Sequence, residues 1–235
     1  MSAFFHEILY RPLFNLLVGL YNVLPGHDLG IAIVALTILI RLLFVPLSIK
    51  ALRSQQEMAM VQPKIQELQT KYKDDKQALA TATMALYKEH KVNPLSGCLP
   101  ILIQLPVIWS LYRVFIQGVN GDTLKNLYGF VANPGTIAQV GFGFLDLAAK
   151  NPALAITAGA LQGIQSWLTI RNQKQKNTSV TDNNPALKMT QQMMYFFPIM
   201  ITVISWSLPA GLVLYWATTT AFSIFEQLYI RRKYV

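Results

Sequence analysis

The chain has 235 residues, of which 53% are hydrophobic and only 13% are charged, and its formal net charge is +9. Soluble domains normally have about a quarter of their residues charged, so this composition excludes an ordinary water-soluble fold and predicts an integral membrane protein. A single cysteine, Cys98, excludes an intramolecular disulfide and a cysteine-based zinc site.

The first segment, residues 1–28, is predicted to be an amphipathic helix that lies in the membrane interface. Its apolar stripe consists of Phe5, Leu9, Leu13, Leu16 and Leu20, and the other faces carry His6, Glu7, Tyr10, Arg11 and Asn15. A sixth membrane span and a signal peptide are the alternatives. Glu7 and Arg11 disfavour a span, and the segment has neither a basic n-region nor an A-x-A site.

Five apolar runs follow, and each is predicted to cross the membrane, where a helix needs about 20 residues per crossing. The predicted spans are 29–49, 97–117, 152–170, 193–208 and 209–228. Between them lie a helical hairpin at 50–96, a loop at 118–151 and a polar linker at 171–192, and a short basic tail occupies 229–235. Several of these spans are short, which suits a thin or locally thinned bilayer.

Basic residues predict the orientation of the spans. Fifteen lysines and arginines lie in the hairpin, the linker and the tail, whereas only Arg11, Lys125 and Lys150 lie on the other side. The positive-inside rule then places the N-terminus outside and the C-terminus in the cytoplasm, which requires an odd number of spans. The predicted fold class is therefore an all-α integral membrane protein with five transmembrane helices.

The cytoplasmic segment 50–96 is predicted to be a helical hairpin that packs on itself. Val61, Ile65, Leu68 and Tyr72 form an apolar stripe on a helix that Pro63 could start, and "KDD" at 73–75 interrupts it. A second helical face follows, formed by Leu79, Ala82, Leu86 and Tyr87. The hairpin is either a solvated connector or a docking platform, and composition does not choose between them.

An arginine lies inside the first span, within "LTILIRLLFVPL" at 36–47. Arg41 stays charged, and leaving it in lipid costs roughly 2.5–3.5 kcal/mol on insertion scales. Within the five predicted spans the one acidic residue is Glu226, at the cytoplasmic end of the fifth. A hydrated pocket is therefore the expected environment of Arg41. Polar residues that could line it, or simply bond between helices, are Thr37, Gln104, Gln162, Gln165, Thr202, Ser205, Trp216 and Thr218–Thr220.

A pocket with a positive charge attracts a small anion, a lipid headgroup or an acidic residue of another polypeptide, and the residues alone leave these three open. An anion channel or small-solute transporter centred on Arg41 is thus an alternative function, although the spans show no repeat symmetry. An intramembrane enzyme is disfavoured, because His6, His27 and His90 lie outside the spans and no H-E-x-x-H motif occurs. We predict no cofactor, since no nucleotide-binding motif is present either.

Four motifs resemble the YidC/Oxa/Alb family of membrane protein insertases. "RLLFVPLSIKALRSQQEM" (41–58) matches the segment that begins with that family's intramembrane arginine, and "QPKIQELQTKYKDDKQ" (62–77) resembles its cytoplasmic hairpin. "KVNPLSGCLPILIQLPVIWSLYRVF" (91–115) resembles its second core span, and "LPAGLVLYW" (208–216) resembles the turn between its last two spans. The motifs occur in family order. The sequence shows no counterpart of the extra N-terminal span and large periplasmic domain of Gram-negative members.

The resemblance implies five spans around a hydrophilic groove that is open to the cytoplasm and to lipid. Such a groove receives the polar or acidic tail of a nascent membrane protein while the hydrophobic segment slides into lipid. The implied function is that of an insertase and chaperone of the bacterial plasma (inner) membrane, not of an enzyme. Its groove residues would be Arg41, Gln165 and Trp216, with Gln104 as a further candidate and Thr37, Thr202 and Ser205 as lining residues.

The resemblance also implies partners for the hairpin. It would meet the ribosome, the signal recognition particle receptor or the Sec translocon, and no DNA partner is expected. Its candidate contacts are the lysines Lys64, Lys71, Lys73, Lys76 and Lys88.

Overall fold

A computed structural model describes residues 6–90, 92–93, 99–117, 123–176 and 185–234. Its helices are α1 (Arg11–Val23), α2 (Leu29–Lys71), α3 (Lys76–Glu89), α4 (Leu99–Gln117), α5 (Pro152–Lys176), α6 (Pro185–Ser205) and α7 (Ala210–Tyr234). A π-helical turn at His6–Tyr10 precedes α1, and a 3-10 turn spans Thr123–Asn126. One antiparallel hairpin, which the sequence did not predict, pairs β1 (Val140–Gly141) with β2 (Leu145–Asp146). The mostly helical class is confirmed, while Phe5 and Cys98 lie outside the described residues.

Membrane-spanning potential is clearest in α2. In the part of the chain that the structure describes, Leu29–Ser54 is the one helical segment long and apolar enough to cross a membrane, and Met194–Ser205 is a shorter apolar helix. The predicted set of five spans therefore stays a prediction.

The chain divides into two compact units. The first, called the bundle unit, contains Met1–Phe44, Ile103–Gln165 and Phe197–Val235. The second, called the hairpin unit, contains Val45–Leu102 and Ser166–Phe196. All of the predicted groove residues belong to the bundle unit, and all five of the predicted partner-binding lysines belong to the hairpin unit.

One continuous hydrophobic core fills the bundle unit. Its largest fully buried side chains come from segments far apart in sequence and include Phe14, Ile33, Leu111 and Tyr215 on helices and Leu147 after β2. A smaller cluster of Ala158, Val213 and Ala217 packs α5 against α7. Because α1, α2, α4 and α7 share one core, their side chains are held in fixed relative positions.

Helix α1 enters this core with a face that differs from the predicted one. Leu16, assigned above to the apolar stripe, is 42% exposed, whereas Tyr10, Phe14 and Tyr21 are buried. The sequence analysis counted Tyr10 with the polar residues, whereas its ring lies in the core. A tyrosine ring contributes a large apolar area to a core even though its hydroxyl is polar. The interfacial position of residues 1–28 stays a prediction.

Asn15 is also buried, contrary to its predicted place on a polar face, and it ties α1 to the loop after α4. Its Nδ2 donates to the carbonyl oxygens of Arg11 (2.8 Å) and Asn126 (3.0 Å), and its Oδ1 accepts from the Tyr128 amide (2.7 Å). The Arg11 guanidinium also donates to the Asn126 carbonyl and to Glu7, and this hydrogen bond holds the pKa of the Glu7 carboxyl below its usual value. Every polar group of the Asn15 amide is thus used for a contact with backbone.

Two glycines bring α5 close to α6. A Cβ atom at Gly159 would overlap the Thr202 hydroxyl, and the atom nearest to a Cβ at Gly163 is Cβ of Pro198, 3.9 Å away. The "GALQG" motif at 159–163 therefore serves close packing within the chain, which is the usual role of small residues spaced four apart between helices.

The hairpin unit has a much smaller core. Val61, Ile65 and Val92 are buried, with Met58, Leu86 and Tyr87 packed against them. Helix α2 continues to Lys71, so Pro63 lies inside this helix and does not start it as expected. The turn between α2 and α3 falls at the "KDD" motif, where the Asp75 carboxylate caps α3 by accepting from the amides of Gln77 (3.0 Å) and Ala78 (2.9 Å).

Candidate functional site

Arg41 lies on α2 and is half-buried. Within the described ranges, the Arg41 guanidinium makes no ion pair within 4.0 Å with a described carboxylate. Its electrostatic neighbours are Tyr215 and Glu226, which are both buried on α7. These two residues are eleven positions apart, or about 16 Å along a helix. Arg41 therefore lies opposite the part of α7 between them.

A buried polar stripe runs along this part of α7. Tyr215, Thr219, Ser223 and Glu226 follow one another at spacings of 4, 4 and 3 residues, which places them on one helical face. Each is at most 8% exposed. Polar residues on the buried face of an apolar helix are costly, and in membrane proteins they mark substrate and ion pathways.

Glu226 is the acidic residue that the sequence analysis places at the cytoplasmic end of the fifth predicted span, and its electrostatic interaction with Arg41 was not predicted. Helix α7 continues to Tyr234, so Glu226 lies eight residues before the helix end and is 8% exposed. The signal that could have identified it is the regular spacing of polar residues from Tyr215 to Glu226.

Gln104 connects α4 to the same stripe. Its Nε2 donates a hydrogen bond of 2.6 Å to the Tyr215 hydroxyl. Gln104 is half-buried, and Tyr215 is 2% exposed. Helices α4 and α7 are therefore joined by this bond, and Arg41 on α2 interacts electrostatically with Tyr215 and Glu226. We call Arg41, Gln104, Tyr215 and Glu226 together the Arg41 site.

Other predicted groove residues bond within their own helices. The Thr37 hydroxyl donates to the Ile33 carbonyl (2.6 Å) and the Thr202 hydroxyl donates to the Pro198 carbonyl (3.0 Å). Thr37 is fully buried, and the Ile33 carbonyl of α2 itself accepts from its hydroxyl. Both bonds lie within one helix, unlike the bonds between helices of the simpler alternative, and the lining role of the two threonines stays a prediction.

A second polar group lies on α5 and α6. Gln162 Nε2 donates to Gln165 Oε1 at 3.2 Å, and Thr202 packs against Gly159 one turn away on α5. Ser205 is fully buried at the end of α6, and Trp216 is half-buried beside Tyr215 in the chain. Of the seven predicted groove residues, Arg41 and Gln104 are thus brought together, while a groove lined by all seven stays a prediction.

All five predicted partner-binding lysines of the hairpin unit are exposed: Lys64, Lys71, Lys73, Lys76 and Lys88. The Lys64 ammonium lies 2.9 Å from Nε2 of His90, and the Lys71 ammonium lies 5.4 Å from the Tyr72 ring centroid. Within the described ranges, no three His, Cys, Asp or Glu side chains are grouped so that they could hold a metal ion.

Comparisons with known proteins identify the family of the chain. A family model described as "60Kd inner membrane protein" matches residues 19–235. Proteins named "Membrane protein insertase YidC" from Francisella tularensis subsp. novicida and from subsp. tularensis are 40% identical over 238 residues, an alignment that covers 100% of this chain and 37% of each relative. The chain therefore spans little more than a third of the length of these relatives.

A solved structure is similar as well. It is described as "Active YidC insertase crystal structure with the first transmembrane domain resolved" and superposes with a TM-score of 0.59 at 25% identity, covering 95% of this chain and 46% of that one. The family match extends over far more than half of the chain, which confirms the membership that the four motifs predicted. The chain belongs to the 60Kd inner membrane protein (YidC/Oxa) family.

Proposed function

We propose that the chain acts as a membrane protein insertase and chaperone in the bacterial plasma (inner) membrane. Five helices cross the bilayer, with the N-terminus outside and the C-terminus in the cytoplasm. A hydrated groove at the Arg41 site receives the polar or acidic tail of a nascent membrane protein, and the hydrophobic segment slides past it into lipid. The observation that carries this proposal is the half-buried Arg41 beside a buried polar stripe of α7.

Exposed apolar side chains of the bundle unit support its position in lipid. Leu43 on α2 is 74% exposed, Ile156 on α5 is 56%, Val203 on α6 is 65% and Phe225 on α7 is 69%. A water-soluble protein rarely exposes apolar patches of this extent. Helices with such surfaces are stable when hydrocarbon, and not water, surrounds them.

The physical obstacle to insertion is the polar tail of the substrate. Transfer of its apolar segment into lipid is favourable, whereas transfer of the flanking polar groups without hydrogen-bond partners is not. A groove that carries water part of the way across the bilayer shortens the dehydrated path. Because the medium around Arg41 screens charge less than bulk water does, its guanidinium attracts carboxylates of the tail.

Glu226 keeps this attraction moderate. A carboxylate that already interacts with Arg41 offsets part of its charge, so an acidic tail is attracted but not retained. Release then follows when the substrate helix partitions into lipid. The energy comes from that partitioning and from the membrane potential, which is worth about 2.3 kcal/mol per charge per 100 mV.

The hairpin is proposed as the docking platform of the insertase. Its five exposed lysines are suited to anionic surfaces such as ribosomal RNA or acidic segments of proteins. The ribosome, the signal recognition particle receptor and the Sec translocon are the partners proposed for it.

Reconstitution tests the proposal. The chain is placed in liposomes and supplied with a single-span substrate whose translocated tail is acidic. A second, neutral-tail substrate is the same protein with Asn and Gln in place of the Asp and Glu of the tail. The amount of protease-protected product measures insertion. We expect Arg41→Ala to lower insertion of the acidic-tail substrate about tenfold, which corresponds to about 1.4 kcal/mol, and to affect the neutral-tail substrate much less.

A matched control is Arg113→Ala on α4, because the Arg113 guanidinium stacks at 4.9 Å on the Trp109 ring and does not belong to the Arg41 site. This variant should insert both substrates like the unmodified chain. Equal insertion of the acidic-tail substrate by Arg41→Ala and the unmodified chain would refute the electrostatic role of Arg41.

Water access is tested separately. In a Cys98→Ser background, a cysteine at position 41 or 165 should react with a membrane-impermeant thiol reagent added from the cytoplasmic side. Cysteine at Ile33, which is fully buried on α2, is the matched control and should stay unreacted. Complete protection of positions 41 and 165 would show a dry, packed bundle.

A further inference from the structure

Two phenylalanines lie at the exposed tip of the small β-hairpin. The strands pair Val140 with Asp146 and Gly141 with Leu145, so the "GFGF" motif forms the turn. Phe142 is 42% exposed and Phe144 is 82% exposed, and their ring centroids are 6.5 Å apart. We call residues 140–146 the aromatic turn. Neither phenylalanine contributes to the core of the bundle unit.

The aromatic turn lies beside the first residues of α2. A Cβ atom at Gly30 would lie 2.9 Å from Cα of Gly141 and 3.1 Å from Cε2 of Phe142, so the missing side chains at both glycines allow this close approach. Gly30 is the second residue of the segment Leu29–Ser54, which is long and apolar enough to cross a membrane. The turn is therefore at the level where this segment begins.

Hydrogen bonds hold the aromatic turn at that level. The Leu147 amide donates to the Gln139 carbonyl (2.8 Å), and the Gly211 amide, in the first turn of α7, donates to the Leu147 carbonyl (2.9 Å). The side chains of Leu145 and Leu147 are buried in the core of the bundle unit. The turn is thus attached to both α2 and α7, and its depth relative to α2 is fixed.

The backbone of the turn is strained at Phe142. Its φ is +54°, in the left-handed region that non-glycine residues rarely adopt, while the next residue, Gly143, has a φ of +77°. Glycine or asparagine at position 142 would fit this conformation better, so folding alone does not explain a phenylalanine there. Strain of this kind is characteristic of functional positions.

We propose that Phe142 and Phe144 insert into the interfacial region of the outer lipid leaflet and anchor the bundle unit at a fixed depth. Lipid is favoured over a protein partner because the turn continues the exposed apolar surface of α2, where Ile31 is 38% exposed next to Gly30. Aromatic side chains are enriched at this boundary between headgroups and acyl chains. The inference rests on the proposed membrane span of α2.

Site-directed fluorescence tests the anchor. The full chain carrying Cys98→Ser is given one new cysteine in place of Phe144, Thr136 or Leu43, and this cysteine is labelled with an apolar environment-sensitive dye. Each labelled chain is placed in phosphatidylcholine vesicles whose lipids carry a nitroxide group either near the headgroup or at the middle of the acyl chain. Thr136 is an exposed residue of the same loop, and Leu43 is an exposed residue of α2. We expect the nitroxide near the headgroup to quench the dye at position 144 at least threefold more than the dye at position 136. Iodide in the aqueous phase should quench the dye at position 136 more than the dye at position 144.

The three positions separate the two proposals. The anchor is overturned, and the span is left intact, if the mid-chain nitroxide quenches the dye at position 43 while iodide freely reaches the dye at position 144. A dye at 144 that neither iodide nor lipid nitroxides reach would show that protein covers the turn, which also overturns the anchor. Absence of lipid quenching at Leu43 would overturn the span and the anchor with it.

Discussion

The bundle unit and the hairpin unit differ most in how their side chains are held. In the bundle unit, a continuous core from α1, α2, α4 and α7 surrounds the Arg41 site, and buried amides such as Asn15 bond to backbone across long stretches of sequence. In the hairpin unit, the buried core consists of Val61, Ile65 and Val92. Arg41, whose charge must be held in a fixed orientation, therefore lies in the well-packed unit. The exposed lysines lie in the unit with the small core, where local unfolding is expected to be easier.

The largest effect should follow from crowding the contact between α5 and α6 in the bundle unit. Gly159→Leu places a side chain where the Thr202 hydroxyl already lies, so we expect a loss of at least about 3 kcal/mol of stability, measured as thermal unfolding in detergent. Gly163→Leu is the matched control, because the atom nearest to its Cβ is 3.9 Å away and the loss should be far smaller. Equal losses at the two positions would mean that α5 and α6 do not approach most closely at Gly159.

Removal of the buried amide that ties α1 to the loop should have the next largest effect. Asn15→Ala leaves the Tyr128 amide without its bond and removes one of the two donors to the Asn126 carbonyl, so we expect a loss of about 2 kcal/mol in the free energy of unfolding. Asn22→Ala is the control, because Asn22 is only half-buried and makes a single bond to the Ala132 carbonyl. Similar unfolding curves for the two variants would contradict the tight attachment of α1.

A smaller effect is expected at the cap of α3 in the hairpin unit. Asp75→Ala removes a side-chain acceptor for two amides, which costs about 1 kcal/mol, so amide exchange in the first turn of α3 should quicken about fivefold. Exchange in the bundle unit should stay the same, because the two cores are separate clusters. Asp74→Ala, at the neighbouring exposed position, should change neither. Faster exchange throughout the chain would break the distinction between the units.

The smallest effect should come from the carboxylate of the Arg41 site. Glu226→Gln keeps the size of the side chain and removes its charge, so an acidic substrate tail should be held longer and its cross-linking yield at the site should rise about twofold. Glu57→Gln, an exposed carboxylate of the hairpin unit, should leave this yield unchanged. An unchanged yield in Glu226→Gln would show that Glu226 does not moderate the charge of Arg41.

Features of local sequence were predicted well. The start of α2 at Leu29, the turn at "KDD" and the burial of Val61 and Ile65 all follow from composition or spacing within a few positions. Such patterns act within one or two helical turns, so a single sequence contains the information that they need. The family membership rests on motifs of the same local kind.

Contacts between distant segments were not predicted. Gln104 and Tyr215 are 111 residues apart, and Asn15 and Tyr128 are 113 residues apart, and neither pair has a periodic signal. The interaction of Glu226 with Arg41 was not predicted either, because it joins two helices that are far apart in sequence. The burial of Asn15 was not predicted because an asparagine becomes a core residue only when partners satisfy its polar atoms.

The attachment of α7 to the loop before α5 has a consequence for how the chain is made. The first amides of α7, at Ala210 and Gly211, donate to the carbonyls of Ala149 and Leu147, in a segment that precedes α7 by some sixty residues. During synthesis that segment must already be in place before α7 can dock. Tyr215 and Glu226 then reach Arg41 as the last parts of its site to arrive. A ribosome that still holds α7 therefore carries a chain in which Arg41 is present but Tyr215 and Glu226 have not yet reached it.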